Sequence, residues 1–251
     1  MDAVEQVAAW LHRAKYVLVF TGAGISTGSG IPDFRGPQGV WQRRQPVYYS
    51  EFLRDEGKRV EHWDFKLEGW EGFRDARPNA AHHALVTLEE MGRLQMLVTQ
   101  NIDGLHHAAG NHPDRIVELH GTNRLVECLS CGERTDPETA FEAFKSTRRC
   151  PRCHCGGLLK TATISFGQDL KRKDLMLAFA AAEEADVALA IGSTLSVHPA
   201  ASVPLTAREH GARYVVINQG ETEHDSVADV RLEGDAVEIV PAILTALRAR
   251  L

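Results

Sequence analysis

The run Val17-Leu18-Val19-Phe20 empties directly into Thr21-Gly22-Ala23-Gly24, and this junction restricts the fold more than any other feature of the chain. An unbroken apolar, β-favouring run reads as a strand covered on both faces, as in a parallel sheet between layers of helices. Glycines at 22, 24 and 28 then form a turn whose backbone N–H groups can approach a phosphate at the strand's carboxyl end. The spacing is not that of the dehydrogenase fingerprint, since Gly28 lies four residues beyond Gly24 where G-x-G-x-x-G requires three. Asp33-Phe34-Arg35 sets an acid, an aromatic ring and a guanidinium just behind the turn, which is more chemistry than a structural turn requires.

Further runs repeat the pattern. Leu94–Thr99 ends at Gln100-Asn101-Ile102-Asp103-Gly104, Ile116–Leu119 at His120-Gly121, Val187–Ile191 at Gly192-Ser193-Thr194, and Tyr214–Ile217 at Asn218. Helical spacing predicts helices over 2–14, over 79–91 with Ala80, His83, Ala84 and Leu88 inward, over 174–184, and from Ala236 to Leu247. Ala162–Phe166 reads as extended. Strands alternating with helices predict an α/β fold, a doubly wound parallel sheet of Rossmann-like type, with ligands outside the strands' carboxyl ends. The polar clusters above all fall at such ends, which predicts one shared site. Residues 36–78 turn polar and aromatic and are expected to be a flexible loop followed by short helices, belonging with residues 124–161 to a smaller lobe inserted into a single 1–251 catalytic domain. Their aromatics read as that lobe's core.

Cys128-x2-Cys131 is followed after eighteen residues by Cys150-Pro-Arg-Cys153-His-Cys155. Closely spaced thiols at that separation, flanked by Gly132, Pro151 and Gly156-Gly157, predict a zinc ribbon with a closed, structural tetrahedral site. Five candidates compete for four positions: x2 spacing nominates Cys153, and an x4 pairing nominates Cys155. Cysteines confined to 128–155 fit a reducing cytoplasm better than a secreted disulfide framework. No N-terminal stretch resembles a signal peptide, and no run approaches the roughly 20 apolar residues of a membrane span. The formal charge of −6 argues against a whole-surface nucleic-acid binder.

With these motifs assembled, the chain resembles the sirtuins, NAD-dependent protein-lysine deacylases. The resemblance rests on Gly22-Ala23-Gly24-Ile25-Ser26 with Gly30-Ile31-Pro32-Asp33-Phe34-Arg35-Gly36, on Thr99-Gln100-Asn101-Ile102-Asp103-Gly104-Leu105-His106, and on Glu118-Leu119-His120-Gly121. The cysteines, Gly192-Ser193-Thr194-Leu195 and Val216-Ile217-Asn218 follow in the family's order, so almost the whole chain is covered. Three departures stand out: Gln168 where the family often has Glu, Ser193-Thr194 in transposed order, and the additional thiol at Cys153-His154-Cys155. Family register tilts the last zinc ligand toward Cys155.

The resemblance implies a deacetylase that transfers the acetyl group of acetyl-lysine to ADP-ribose. His120 is then the general base on a ribose hydroxyl, Asn101 positions the ribose or a water, and Asp103 holds the nicotinamide carboxamide. Phe34 shields the sugar, Arg35 and Ser193 lie near the phosphates, and Gln100 and Asn218 contact the riboses. Gly22, Ala23, Gly24, Ser26, Asp33, Ile102, Gly192, Thr194 and Ala236 complete the expected NAD-contacting set. The acyl-lysine peptide would pair with Ile164–Gly167 as an added strand. An NAD hydrolase or mono-ADP-ribosyltransferase using the same cleft, and a nucleic-acid-reading zinc ribbon that senses NAD, are the rival readings. No Tyr-x-x-Arg pair of the succinyl-removing sirtuins occurs in the chain, which predicts preference for a neutral acyl group unless Arg43, Arg44 or Lys66 enters the acyl channel.

Overall fold

The computed structural model describes residues 2–36, 39–40 and 44–251. In chain order the elements are α1 (Ala3–Arg13), β1 (Val17–Thr21), α2 (Tyr49–Arg54), α3 (Glu56–Asp75), α4 (Ala80–Glu90), β2 (Leu94–Thr99), α5 (Leu105–Ala109) and β3 (Ile116–Glu118). They continue with β4 (Gly121–Cys128), β5 (Arg134–Thr135), α6 (Pro137–Thr147), β6 (Leu159–Thr163), α7 (Arg172–Glu183), β7 (Val187–Ile191), α8 (Ser202–Glu209), β8 (Arg213–Asn218), β9 (Val230–Glu233) and α9 (Ala236–Arg248).

Six strands form one sheet in the order β3-β2-β1-β7-β8-β9, every pair parallel. This is the doubly wound arrangement, and the strand order reverses between β1 and β7, where ligands of such sheets bind. Strand periodicity divides the core. Val17, Val19, Leu189, Ile191, Val215 and Ile217 face one way, onto α1, α4 and α9 through Leu11, Leu85 and Ile243. Leu18, Phe20, Ala188, Ala190 and Val216 face the other way, onto α7 and α8 through Ala182 and Val203.

A second, three-stranded sheet, β5-β4-β6, is antiparallel. Its core is separate: Trp63 and Trp70 of α3, Val126 of β4, and Phe141 and Phe144 of α6. Three expectations need correction. Most of 49–75 is one twenty-residue helix, α3, rather than several short ones; Asp55 accepts the N–H of Lys58 at its start, and apolar side chains at 60, 63, 67 and 70 recur at helical spacing toward α6. The buried face of α4 carries Ala81, His82, Ala84, Leu85 and Leu88, so His82 is inward and His83 outward. Asn79 caps the helix, accepting from the N–H groups of Ala81 and His82, and the face it presents packs Ala81, Leu85 and Leu88 onto the core while His82 meets His106. β6 begins at Leu159, three residues before the expected extended segment, because Leu159 and Lys160 pair with Cys128 and Glu127.

Candidate active site

Every polar cluster singled out in the sequence lies at the carboxyl end of its strand, around the β1/β7 switch point. The turn after β1 is a 3₁₀ helix, Ala23–Ser29. Its glycines serve a purpose that spacing alone did not reveal. The Gly22 N–H donates to Ile191 O at 2.9 Å and the Gly24 N–H to Gly192 O at 2.8 Å, so both amides are spent on the neighbouring loop. A Cβ at Gly24 would stand 2.7 Å from Gly192 Cα, and one at Gly22 2.7 Å from Gly192 O. Gly192 itself has φ +65° and meets Ile25 N in the same way. The two loops therefore interlock, and only glycine permits the approach. Gly28 faces α9, where a Cβ would meet Val237 Cγ1 at 2.6 Å.

Beneath this loop is a buried polar network. The Ser26 hydroxyl donates to Asp103 Oδ2 at 2.8 Å, and the Leu105 N–H donates to Asp103 Oδ1 at 2.8 Å. Asn101 Nδ2 donates to Gly22 O at 3.1 Å and Ser26 Oγ at 3.2 Å. Asp103 is 3% exposed, and burial raises its pKa against these donors and the nearby Arg124 guanidinium. Thr21 and Thr99 share a hydrogen bond of 2.8 Å, and Thr99 Oγ1 accepts the Asn101 N–H at 3.0 Å. Gln100 Nε2 donates to Ser193 Oγ at 2.9 Å, tying β2 to β7 across the top of β1.

His120 follows β3. Its Nδ1 lies 3.0 Å from Gln100 O. A carbonyl only accepts, so Nδ1 carries the proton and Nε2 of the neutral ring keeps its lone pair. Burial lowers the His120 pKa; the Gln100 carbonyl opposes that shift, and Arg35 adds to it. This is the electronic state of a base.

A cavity of about 1200 Å³ joins these groups. Gly22, Ala23, Gly24, Asp33, Phe34 and Arg35 line it, as do Gln100, Asn101, Ile102 and His120, and on its far side Gly192, Ser193, Thr194, Asn218 and Ala236. Ser26 and Asp103 lie behind the lining rather than in it. Asp33 turns back on its own loop, accepting the Gly36 N–H at 2.9 Å. The cavity's volume, its interlocked glycine wall and the buried Asn101–Asp103 donor–acceptor set suit a dinucleotide. Ile164–Gly167 lines the same cavity, its Phe166 carbonyl accepting the Tyr49 N–H at 2.9 Å.

The thiols resolve differently from either spacing rule. Cys128, Cys131, Cys153 and Cys155 lie within 4.8 Å of one another, with Cys128–Cys155 and Cys131–Cys153 Sγ distances of 3.5 and 3.7 Å. Four converging sulfurs are the donor set of a closed tetrahedral zinc site. Cys150, expected among the ligands, is outside the cluster and packs instead against the Trp63–Phe141 core. A tight turn separates the two roles: the Cys153 N–H donates to Gly157 O at 3.0 Å and the Gly156 N–H to Cys153 O at 2.8 Å, bringing the Cys155 thiol to Cys128 and the Cys153 thiol to Cys131. Gly157 is obligatory there, since a Cβ would stand 2.6 Å from Cys128 Sγ.

His82 and His106, to which the sequence assigns no role, underlie the site. His106 Nε2 is 2.9 Å from Thr21 Oγ1, and the two imidazoles pack at 4.9 Å. Arg124, also unmarked in the sequence, donates through Nε to Asp103 O at 2.8 Å. Burial sets the two histidines apart.

Comparison with known proteins gives a consistent result. The model of the Sir2 family matches residues 22–199. An NAD-dependent protein deacetylase of Thermodesulfovibrio yellowstonii is 40% identical over 249 residues, covering 99% of this chain and 96% of its own length. NAD-dependent protein deacetylase 1 of Pyrobaculum aerophilum is 41% identical, with coverage of 100% and 97%. Among solved structures, a Sir2 with a deacetylated p53 peptide and 3'-O-acetyl ADP ribose superposes with a TM-score of 0.90 at 32% identity, covering 96% of this chain and 97% of that one. A Sir2 bound to a myristoylated histone peptide gives 0.80 at 34% identity, covering 99% and 98%.

Proposed function

The chain belongs to the Sir2 family, and from that premise we propose that its cavity carries out NAD-dependent deacetylation of protein lysines with His120 as the general base. The enzyme is an NAD-dependent protein deacetylase, and its structural metal is zinc. Bound NAD supplies a ribose carbon that exchanges nicotinamide for the acyl oxygen of the substrate. The chain's residues hold that exchange in place and keep water out of it.

The observation that carries the assignment is the Nδ1–Gln100 O hydrogen bond, which leaves the His120 Nε2 lone pair free at a cavity shared with Asn101 and the glycine loop. His120 takes a ribose hydroxyl proton on Nε2. Asn101 orients the ribose, and Asp103, clamped by Ser26 and Leu105, receives the carboxamide through the floor of the site. Phe34 covers the sugar, Arg35 and Ser193 face the phosphates, and Gln100 and Asn218 meet the riboses. The acyl-lysine peptide pairs along Ile164–Gly167, in keeping with the peptides held by the related p53 and histone complexes. Residues 36–78 and 124–161 act as one smaller lobe that closes the peptide side of the cleft. Among the described residues no helix is long and apolar enough to cross a membrane; cysteines gathered into a metal site favour a reducing, cytoplasmic setting.

The test is mass spectrometry of the products from NAD and an acetyl-lysine peptide, with wild type and His120→Ala side by side. The expected products are O-acetyl-ADP-ribose and free lysine, formed about 10²–10⁴-fold more slowly by the variant, while NAD still binds. Equal losses of NAD binding and of activity would make His120 a structural residue. Free ADP-ribose without deacetylation would make the protein an NAD hydrolase.

A further inference from the structure

The Cys153-His154-Cys155 run, one of the chain's departures from the family's pattern, brings a second group of ligand atoms together beside the thiols. Glu133, Cys153 and His154 present a carboxylate oxygen, a sulfur and a ring nitrogen within 4.8 Å of one another. Glu133 Oε2 is 3.0 Å from His154 Nδ1 and 3.3 Å from Cys153 Sγ, and Nδ1 is 3.7 Å from Sγ. Zinc bonds of about 2.0 Å to nitrogen and oxygen, and about 2.3 Å to sulfur, give tetrahedral edges of about 3.3–3.7 Å. The triangle is thus close in size to one face of a coordination tetrahedron, and it shares Cys153 with the four-thiol cluster.

Both knuckles of the ribbon contribute. Glu133 closes the first, where its carbonyl accepts the Cys128 N–H at 2.9 Å and the Gly132 N–H returns to Cys128 O at 2.9 Å. His154 stands in the second, inside the turn that the Gly156 N–H closes onto Cys153 O. The side chains of His154 and Glu133 are 78% and 43% exposed, so water can reach a fourth position. Charge favours a cation there. A zinc ion held by four thiolates keeps a net negative charge, and the Glu133 carboxylate adds another 3.3 Å from one of those sulfurs. The arginines nearby are engaged elsewhere, Arg134 with Glu127 at 2.7 Å and Arg152 with Gly156 O at 3.0 Å. The sulfur of a zinc-bound thiolate retains lone pairs, and a second metal ion between it and the carboxylate removes the repulsion.

We propose that Glu133, His154 and the Cys153 thiolate form a second zinc site, joined to the first through the shared sulfur and completed by water. A thiolate, an imidazole and a carboxylate are together a set that suits zinc better than calcium or magnesium. With three protein ligands, one of them shared, the second site binds more weakly than the four-thiol site and fills when free zinc is plentiful. Its ion ties the two knuckles together outside the first. The proposal rests on zinc in the four-thiol site and is independent of the deacetylase reading.

The test takes the full chain, free of any affinity tag and carrying its first equivalent of zinc, and dialyses it to equilibrium against rising concentrations of free zinc. Wild type is expected to take up a second equivalent. His154→Ala and Glu133→Gln leave all four thiols in place, so each should keep the first equivalent and bind the second at least tenfold more weakly. In protein loaded with cobalt instead, the second equivalent should weaken the electron paramagnetic resonance signal of the first, because a shared thiolate couples the two ions. Wild type that stops at one equivalent would mean that the Glu133–His154 ion pair balances the charge by itself, and the proposal falls. It falls equally if both variants bind the second equivalent as wild type does, or if the two cobalt signals simply add.

Discussion

His82 and His106 show how a side chain out of reach of substrate can govern the conditions under which the site exists. The Asn79 N–H points at His82 Nδ1, which leaves the proton of the neutral ring on Nε2. With the Thr21 hydroxyl donating to Thr99, His106 Nε2 donates to Thr21 and its Nδ1 keeps the lone pair. His82 Nε2 and His106 Nδ1, one a donor and the other an acceptor, are both buried without a partner. Neither ring tolerates a proton: burial holds the His82 pKa at about 4 and that of His106 well below the usual value. The unfolded chain takes up these protons near pH 6.5, so stability is complete above that pH and falls as pH drops from about 6.5 toward 4, by about 1.4 kcal/mol per pH unit for each ring. Urea denaturation at pH 7.5 and 5.0 should show this decline, and His82→Gln should flatten it by up to one ring's share. His120 acts in the same sense on rate. Its lowered pKa places the acid limb of kcat/KM below the 6.5 of an ordinary histidine, which a pH–rate profile measures. Residues of the first kind were illegible in the sequence because a histidine beside a histidine carries no period. His120 was legible only through the strand that delivers it.

At the scale of the element, a strand followed by a polar cluster was the legible unit. β1, β7 and β8 have unbroken apolar interiors, β2 is interrupted only by Gln95, and each ends in the groups that line the cavity. β4 was not legible as a strand and β6 only over its last two residues, because they pair in a small sheet where Lys160 and Thr161 are buried through hydrogen bonds rather than an apolar pattern. β9 is a four-residue edge strand with one buried side chain, too short for any period. The glycine turn was legible as a turn but not in its purpose, since spacing cannot tell close approach to a phosphate from close approach to Gly192. That purpose has a measurable consequence. Gly24→Ala forces apart two backbones already at contact distance, so NAD affinity should fall at least tenfold while the thermal midpoint moves by only a few degrees. Calorimetric titration and a melting curve separate the two effects.

The whole molecule divides its stability between two cores that share almost no side chains, one around the six-stranded sheet and the other around Trp63, Val126 and Phe141. The zinc thiols belong to the second, because Cys128 closes β4 and the turn carrying Cys153 and Cys155 leads into β6. A strong chelator is therefore expected to unfold the three-stranded sheet and abolish activity while the parallel sheet keeps its protection in hydrogen exchange. Cys150→Ser should retain a full equivalent of zinc, and Ser at any of Cys128, Cys131, Cys153 or Cys155 should lose it, as metal analysis of the purified variants would report. β4 begins immediately after His120 and ends at Cys128, and eight residues of strand span on the order of 20 Å. At that distance the metal is a fastener with no electronic stake in the reaction. Cobalt in its place should leave turnover intact while colouring the protein with thiolate charge-transfer bands, an optical gauge of the lobe's integrity that stays unchanged as substrate comes and goes.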